Sequence, residues 1–158
     1  YRTFYIRELA RLTGLSSTGI IKIIKKLKKE KLLISKKAKN IEEVKPDFNG
    51  RFLLIKRLYN IYSLYDAGFI DFIKKYYEMP QAIILFGSYS DGTDTEKSDI
   101  DIALISNKKD IPDLKKFESK LERKLNIHLI DLAKTEKEFK NSFANGIILE
   151  GFIEIIKW

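Results

Sequence analysis

Apolar residues recur along the chain with two different periods. In the first third the spacing is helical, with an i, i+3, i+4, i+7 stripe formed by Ile20, Ile23, Ile24 and Leu27. After residue 80 the spacing of strands occurs as well, in the apolar run "QAIILF" and the alternating segment "DIDIALI". Helical patterns followed by strand patterns predict an α+β protein.

The first 47 residues predict two helices and then two short strands. Gly14 lies in the break between the helices, where a tight turn needs a positive φ. Ser16 or Ser17 can cap the second helix. The segments "LLIS" and "IEEV" predict the strands, and they flank a basic tip that includes Lys36, Lys37 and Lys39.

Charge is distributed unevenly between the two parts of the chain. Residues 1–46 hold 13 Lys and Arg against 4 Asp and Glu, whereas residues 47–158 hold 17 against 18. The whole net charge of +8 therefore comes from the first third. Such asymmetry indicates a part that binds a polyanion, joined to a part with another role.

Composition excludes several kinds of site. The chain has no cysteine, which excludes disulfides and thiolate metal sites and makes a cytoplasmic location the expectation. Its single histidine, His128, excludes zinc sites built on several histidines. No apolar run has the length of a membrane span, so no membrane partner is expected.

Residues 48–79 form an aromatic-rich connector. Helical spacing relates the residues Phe52, Ile55, Leu58, Tyr59, Tyr62 and Tyr65, and Gly68 and Pro80 interrupt and close the pattern. We expect this stripe to pack within the core or between domains. Base stacking or dimer contacts are the alternative.

The segment "LFGSYSDGTDTEKSDIDIALI" contains the candidate chemistry. Strand geometry places Asp99 and Asp101 on one face, about 6–7 Å apart along the strand. Two like charges on one face repel, whereas Mg²⁺ binds carboxylates together with substrate phosphates. Gly87 and Ser88 stand where a helix start can bind an anion. The pattern predicts metal-dependent binding of a nucleoside triphosphate.

Gly87-Ser88, ten intervening residues and then Asp99-x-Asp101 between apolar residues resemble the DNA polymerase β-type nucleotidyltransferases. The similarity is strongest to the minimal archaeal and bacterial versions and covers residues 81–133. It implies that Gly87 and Ser88 hold the triphosphate and that Asp99 and Asp101 bind two Mg²⁺ ions. A third carboxylate on a later strand would help to activate the acceptor hydroxyl.

Two residues compete for that third position. Asp131 in "IDL" fits the family's hydrophobic-acid-hydrophobic pattern and is the expected third catalytic and metal-binding carboxylate. His128 belongs to the other register and would face the opposite side of the strand. If His128 faced the metals, the third ligand would be lost. Asp91 also departs from the family, which often has a basic residue there, and Asp94 is expected to face solvent.

The N-terminal pattern resembles a winged helix-turn-helix, in which the second helix enters the major groove and the wing contacts phosphate. This implies duplex DNA as a partner. The second helix has no Arg, so phosphate contacts should dominate. The candidate DNA-binding residues are Ser16, Ser17, Thr18, Lys22, Lys25, Lys26, Lys36, Lys37 and Lys39. The alternative is an ordinary solvated lysine surface.

The predicted organisation is a winged helix-turn-helix at 1–47, a connecting helical segment at 48–79 and a minimal nucleotidyltransferase with a mixed sheet and flanking helices at 80–158. The expected function is Mg²⁺-dependent transfer of a nucleoside monophosphate from ATP to an acceptor hydroxyl. By analogy with relatives described as antitoxins the acceptor is on a partner protein, although RNA is a further alternative. Winged modules commonly pair, which implies a homodimer. The rival hypothesis is a DNA-binding regulator, or antitoxin-like protein, with a catalytically inactive fold.

Overall fold

The computed structural model of the chain describes residues 2–38 and 41–154. It divides into two compact units, residues 1–55 and residues 56–158. Each unit has its own sheet and its own buried cluster of apolar side chains.

The first unit consists of three short strands and two helices. Its elements are β1 (Phe4–Tyr5), α1 (Ile6–Thr13), α2 (Ser17–Lys29), β2 (Leu33–Ala38) and β3 (Ile41–Pro46). The strands form an antiparallel sheet in the order β1-β3-β2. Gly14 ends α1 with a φ of 69°, and the Ser16 hydroxyl accepts a hydrogen bond from the Gly19 N–H at 3.1 Å to begin α2.

The core of the first unit is small. Ile20 and Ile24 of α2 are buried together with Val44 of β3. Ile23, which the sequence assigned to the same apolar stripe, is 42% exposed. The buried face of α2 is therefore narrower than the periodicity predicted.

The second unit contains most of the chain's regular structure. A long helix, α3 (Gly50–Asp66), begins in the first unit, and its residues from 56 onward belong to the second unit. The following elements are α4 (Phe69–Tyr76), β4 (Ala82–Phe86), α5 (Gly87–Asp91), β5 (Ile100–Ile105), α6 (Lys115–Leu121), β6 (Leu125–Ile130), α7 (Lys137–Ala144) and β7 (Ile147–Gly151).

The four strands form a mixed sheet in the order β6-β5-β4-β7, in which β5 and β6 are parallel and the other pairs are antiparallel. On one face, side chains of α3, α4 and α6 bury residues such as Ile83 and Ile102. On the other face, Phe143 of α7 packs against Ile84 and Ala103. Coverage on both faces explains the continuous apolar sequence of β4. The predicted mixed sheet with flanking helices is confirmed for this unit.

The aromatic stripe of the connector lies only partly in the core. Within α3, Leu64 is buried. Leu58, Tyr59 and Tyr62 are 58%, 66% and 62% exposed, so the prediction of core packing is wrong for these three residues. The physical reason is that α3 is apolar around most of its circumference, and periodicity alone does not say which side meets the sheet.

Candidate functional site

The glycine-serine turn lies against one of the two aspartates. β4 ends at Phe86, and its antiparallel partner on β5 is Asp101. Gly87 follows with a φ of 71°, and a Cβ added there would lie 3.0 Å from Asp101 Oδ2. The backbone conformation therefore favours glycine at this position, and the absence of a Cβ leaves room for the Asp101 carboxylate.

The carboxylates of Asp99 and Asp101 converge on a single side chain of the neighbouring strand. Asn126 is the parallel partner of Asp101, so both side chains share one face of the sheet. Its Nδ2 lies 3.3 Å from Asp99 Oδ2 and 3.2 Å from Asp101 Oδ1. Sequence reasoning missed Asn126, and the signal that could have found it is the β5–β6 register.

The register also places His128 beside the aspartates. His128 pairs with Ala103 on the face of Asp101, and its Nε2 lies 3.4 Å from Asp101 Oδ1. The rings of Phe86 and Phe139 hold it there, each with its centroid 5.3 Å from the imidazole.

The structure does not bring Asp131 to the two aspartates. Strand β6 ends at Ile130, one residue before it, and strand alternation puts Asn126 and His128 on the face of the site. The Asp131 carboxylate instead accepts from the Ala133 N–H at 3.1 Å and lies 3.8 Å from Lys134 Nζ. The register that faced Asp131 toward the aspartates is therefore not the one observed.

The imidazole of His128 lies beside Asp101, but among the residues that the structure describes no Lys or Arg forms an ion pair with Asp99 or Asp101. Asp99 is exposed, and the side chain of Asp101 retains 30% exposure. Two like charges converge here on a neutral amide, an arrangement that a cation would stabilise.

The donor set fits a hard divalent cation that also binds substrate. The described residues contain no cluster of three or more His, Cys, Asp or Glu side chains arranged for a metal ion. Mg²⁺ does not need one, because it usually takes one or two carboxylates together with water and phosphate oxygens. Turning the Asn126 amide over would add a carbonyl oxygen to the pair of carboxylates.

A family model described as "Polymerase beta, Nucleotidyltransferase" matches residues 69–151, more than half of the chain. The chain belongs to this family. The match begins at the first residue of α4 and ends at the last residue of β7, so it includes the turn and both aspartates. A search of curated proteins finds no match.

Other predicted positions of the nucleotidyltransferase domain lie around the turn. The Ser88 carbonyl accepts from the Thr93 N–H at 3.1 Å and the Asp94 N–H at 3.2 Å, which closes the loop behind the turn. Asp91 is exposed at the end of α5. Asp94 is only 3% exposed, so the expectation that it faces solvent is wrong. Its carboxylate pairs with Lys56 Nζ at 2.9 Å and Asn60 Nδ2 at 2.8 Å.

The candidate DNA-binding residues lie in the first unit. All of the described ones are exposed: Ser16, Ser17, Thr18, Lys22, Lys25 and Lys26 around α2, and Lys36 and Lys37 on β2. Lys39 lies outside the described residues. None of the five described lysines forms an ion pair within the described part of the chain. Separately, no helix in the described ranges is long and apolar enough to cross a membrane.

Proposed function

We propose that the second unit is a magnesium-dependent nucleotidyltransferase that transfers a nucleoside monophosphate from ATP to an acceptor hydroxyl. The observation that carries this proposal is the convergence of Asp99 and Asp101 on one point, beside a turn whose positive φ at Gly87 favours glycine. Membership of the nucleotidyltransferase family supports the reaction class.

Each residue has a separate task in this proposal. Asp99 and Asp101 would hold Mg²⁺, with Asn126 beside them. When bound, the metal supplies charge that lowers the pKa of the acceptor hydroxyl and offsets charge on the departing pyrophosphate. The backbone of Gly87 and Ser88 at the start of α5 would receive the triphosphate, and the Ser88 hydroxyl is free of hydrogen bonds in the described chain.

His128 favours a second candidate function. The His128 imidazole stands beside Asp101, and no third carboxylate is clustered with Asp99 and Asp101 among the described residues. The site would then lack the acid that orients the acceptor. In this second candidate the domain binds Mg-ATP without transferring the nucleotide and acts as a ligand-responsive part of a DNA-binding regulator.

Calorimetry and a transfer assay distinguish the two. We expect wild type to bind Mg-ATP and the Asp99→Asn/Asp101→Asn variant to lose this binding, with exposed Asp91→Asn as the matched control. α-Labelled ATP is then incubated with duplex DNA, structured RNA or soluble protein as the acceptor. Label on an acceptor supports the transferase, whereas binding without label supports the second candidate. Wild type that neither binds nor transfers would contradict both.

We further propose that the first unit binds duplex DNA through phosphate contacts. The support is its excess of positive charge and the five exposed lysines, Lys22, Lys25, Lys26, Lys36 and Lys37, which form no ion pair with any described residue. Each lysine removed from a phosphate contact should reduce the slope of log K against log salt by about one. Lys22→Ala/Lys25→Ala should show this in a salt titration, and exposed Lys115→Ala should not. Equal slopes for all three proteins would contradict the assignment.

A further inference from the structure

A cavity of about 480 Å³ opens in the second unit, and none of the residues assigned above to metal or triphosphate binding lines it. Its wall comes from α3, from the segment after the Gly87-Ser88 turn, and from the end of α6. The residues that matter for its chemistry are Tyr59, Asn60, Tyr89, Asp94, Lys120 and Arg123. Its volume is within the range of pockets that bind small molecules.

On one wall of the cavity the polar side chains form a hydrogen-bond network with one another. Asn60 is 3% exposed, and its Nδ2 donates to the Tyr89 carbonyl at 2.9 Å and to Asp94 Oδ1 at 2.8 Å. Lys56 neutralises the same carboxylate. The Tyr89 hydroxyl lies 2.9 Å from Ser63 Oγ, and burial raises the pKa of Tyr89, which keeps the phenol protonated. This wall is rigid and needs no ligand to satisfy it.

The part of the lining at the end of α6 contains an unpaired hydrogen-bond donor. The Nε of Arg123 is buried and has no hydrogen-bond partner. Arg123 Nη1 donates to the Glu122 carbonyl at 2.9 Å, and Lys120 Nζ donates to the Ala67 carbonyl at 3.2 Å. Neither cation forms an ion pair among the described residues. A guanidinium with an unused buried donor is suited to an oxyanion, which its planar fork can bind in a bidentate way.

The charge of the lining and the exposed ring of Tyr59 limit the class of ligand that the cavity could bind. The lining holds three cations and three acids, namely Lys56, Lys120, Arg123, Asp66, Asp94 and Glu122. A lining with no net charge disfavours a triphosphate and accepts a ligand with a single phosphate. Tyr59 is 66% exposed at the cavity and offers an aromatic face of the kind on which bases stack.

We propose that this cavity binds a nucleoside monophosphate, with the phosphate on Arg123 and Lys120 and the base against Tyr59. The site is distinct from the one that would hold Mg-ATP. Its existence does not depend on transferase activity.

The test uses the full chain with Asp99→Asn/Asp101→Asn, so that the first site does not contribute. AMP is titrated without divalent metal, and adenosine and inorganic phosphate are titrated separately. We expect AMP to bind and Arg123→Met to weaken it at least tenfold. Exposed Lys124→Met is the matched control and should leave AMP binding unchanged.

Tyr59→Leu provides a second variant, because Tyr59 is exposed and its replacement leaves the core intact. Tyr59→Leu should weaken AMP binding several-fold. This result supports the site even if Arg123→Met fails to fold. The proposal is overturned if AMP does not bind, or if Tyr59→Leu binds it as tightly as the parent. It is also overturned if inorganic phosphate binds as tightly as AMP, since the cavity would then hold an adventitious ion only.

Discussion

Asp94 differs from Asp99 and Asp101, in the same domain, in burial and in the partners of its carboxylate. Asp94 is buried, and its charge is neutralised by Lys56 and bound by the Asn60 amide. Asp99 and Asp101 remain partly or fully exposed, and in the described chain they meet only Asn126 and His128. The protein thus supplies a cation and an amide for the Asp94 carboxylate, whereas it supplies no lysine or arginine from the described residues for the other two.

The difference separates an acid that the fold pairs from the two acids proposed to bind a metal. A buried charge is tolerated only with a paired and hydrogen-bonded partner, so Asp94 serves to hold α3 to the loop after α5. Two converging carboxylates without a lysine or arginine partner among the described residues gain nothing for stability, which supports the proposal that they bind a cation. The following predictions test this contrast.

The largest effect on stability is expected when the Lys56–Asp94 ion pair is broken. Lys56→Met leaves the buried Asp94 carboxylate without its cation, and we expect a loss of about 3–5 kcal/mol in the free energy of unfolding. Urea denaturation measures this value. Lys97→Met, at an exposed loop position, should stay within about 0.5 kcal/mol of wild type. Similar values for the two variants would mean that Asp94 is not a structural acid.

Removing the Asp101 carboxylate should weaken nucleotide binding without lowering stability, which is the opposite of the effect expected at Lys56. Asp101→Asn should weaken Mg-ATP binding at least tenfold, about 1.4 kcal/mol, because a metal ligand is lost. Its stability without metal should be equal to that of wild type or slightly higher, since like-charge repulsion is relieved. Calorimetry and urea denaturation measure the two quantities. A large loss of stability with unchanged nucleotide binding would place Asp101 in the same class as Asp94.

A gain is expected where a third carboxylate is introduced. His128→Asp should increase Mg²⁺ affinity several-fold, because the charge of the ligand set governs the affinity of such sites. Without metal the variant should be less stable by about 0.2–1 kcal/mol from like-charge repulsion. Calorimetry with Mg²⁺ and thermal unfolding with EDTA check both signs. Lower Mg²⁺ affinity would show that His128 itself is a needed part of the site.

The smallest effect is expected at Asp131. Its contact with Lys134 is exposed, so Asp131→Ala should change the free energy of unfolding by no more than about 1 kcal/mol. Mg-ATP affinity should stay at the wild-type value, as measured by calorimetry. Loss of nucleotide binding in this variant would restore Asp131 as the third ligand and overturn the register described here.

Local pattern was sufficient for much of the site. The apolar run of β4, the glycine at residue 87 and the shared face of Asp99 and Asp101 all follow from strand and turn geometry within one segment. Asn126 and His128 could not be predicted in the same way. The apolar pattern of "NIHLIDLA" fits two registers, and the sequence does not show that the strand ends at Ile130.

By itself the sequence determined the pair of acids, the turn beside them and the concentration of positive charge in the first third. Only the tertiary structure decided which residues stand opposite those acids and that Asp94 is buried. Positions close in sequence are constrained by the backbone repeat of one strand or helix. The partners of Asp94 are 34 and 38 residues away, and β6 meets β5 through parallel pairing, so both depend on how separate elements pack.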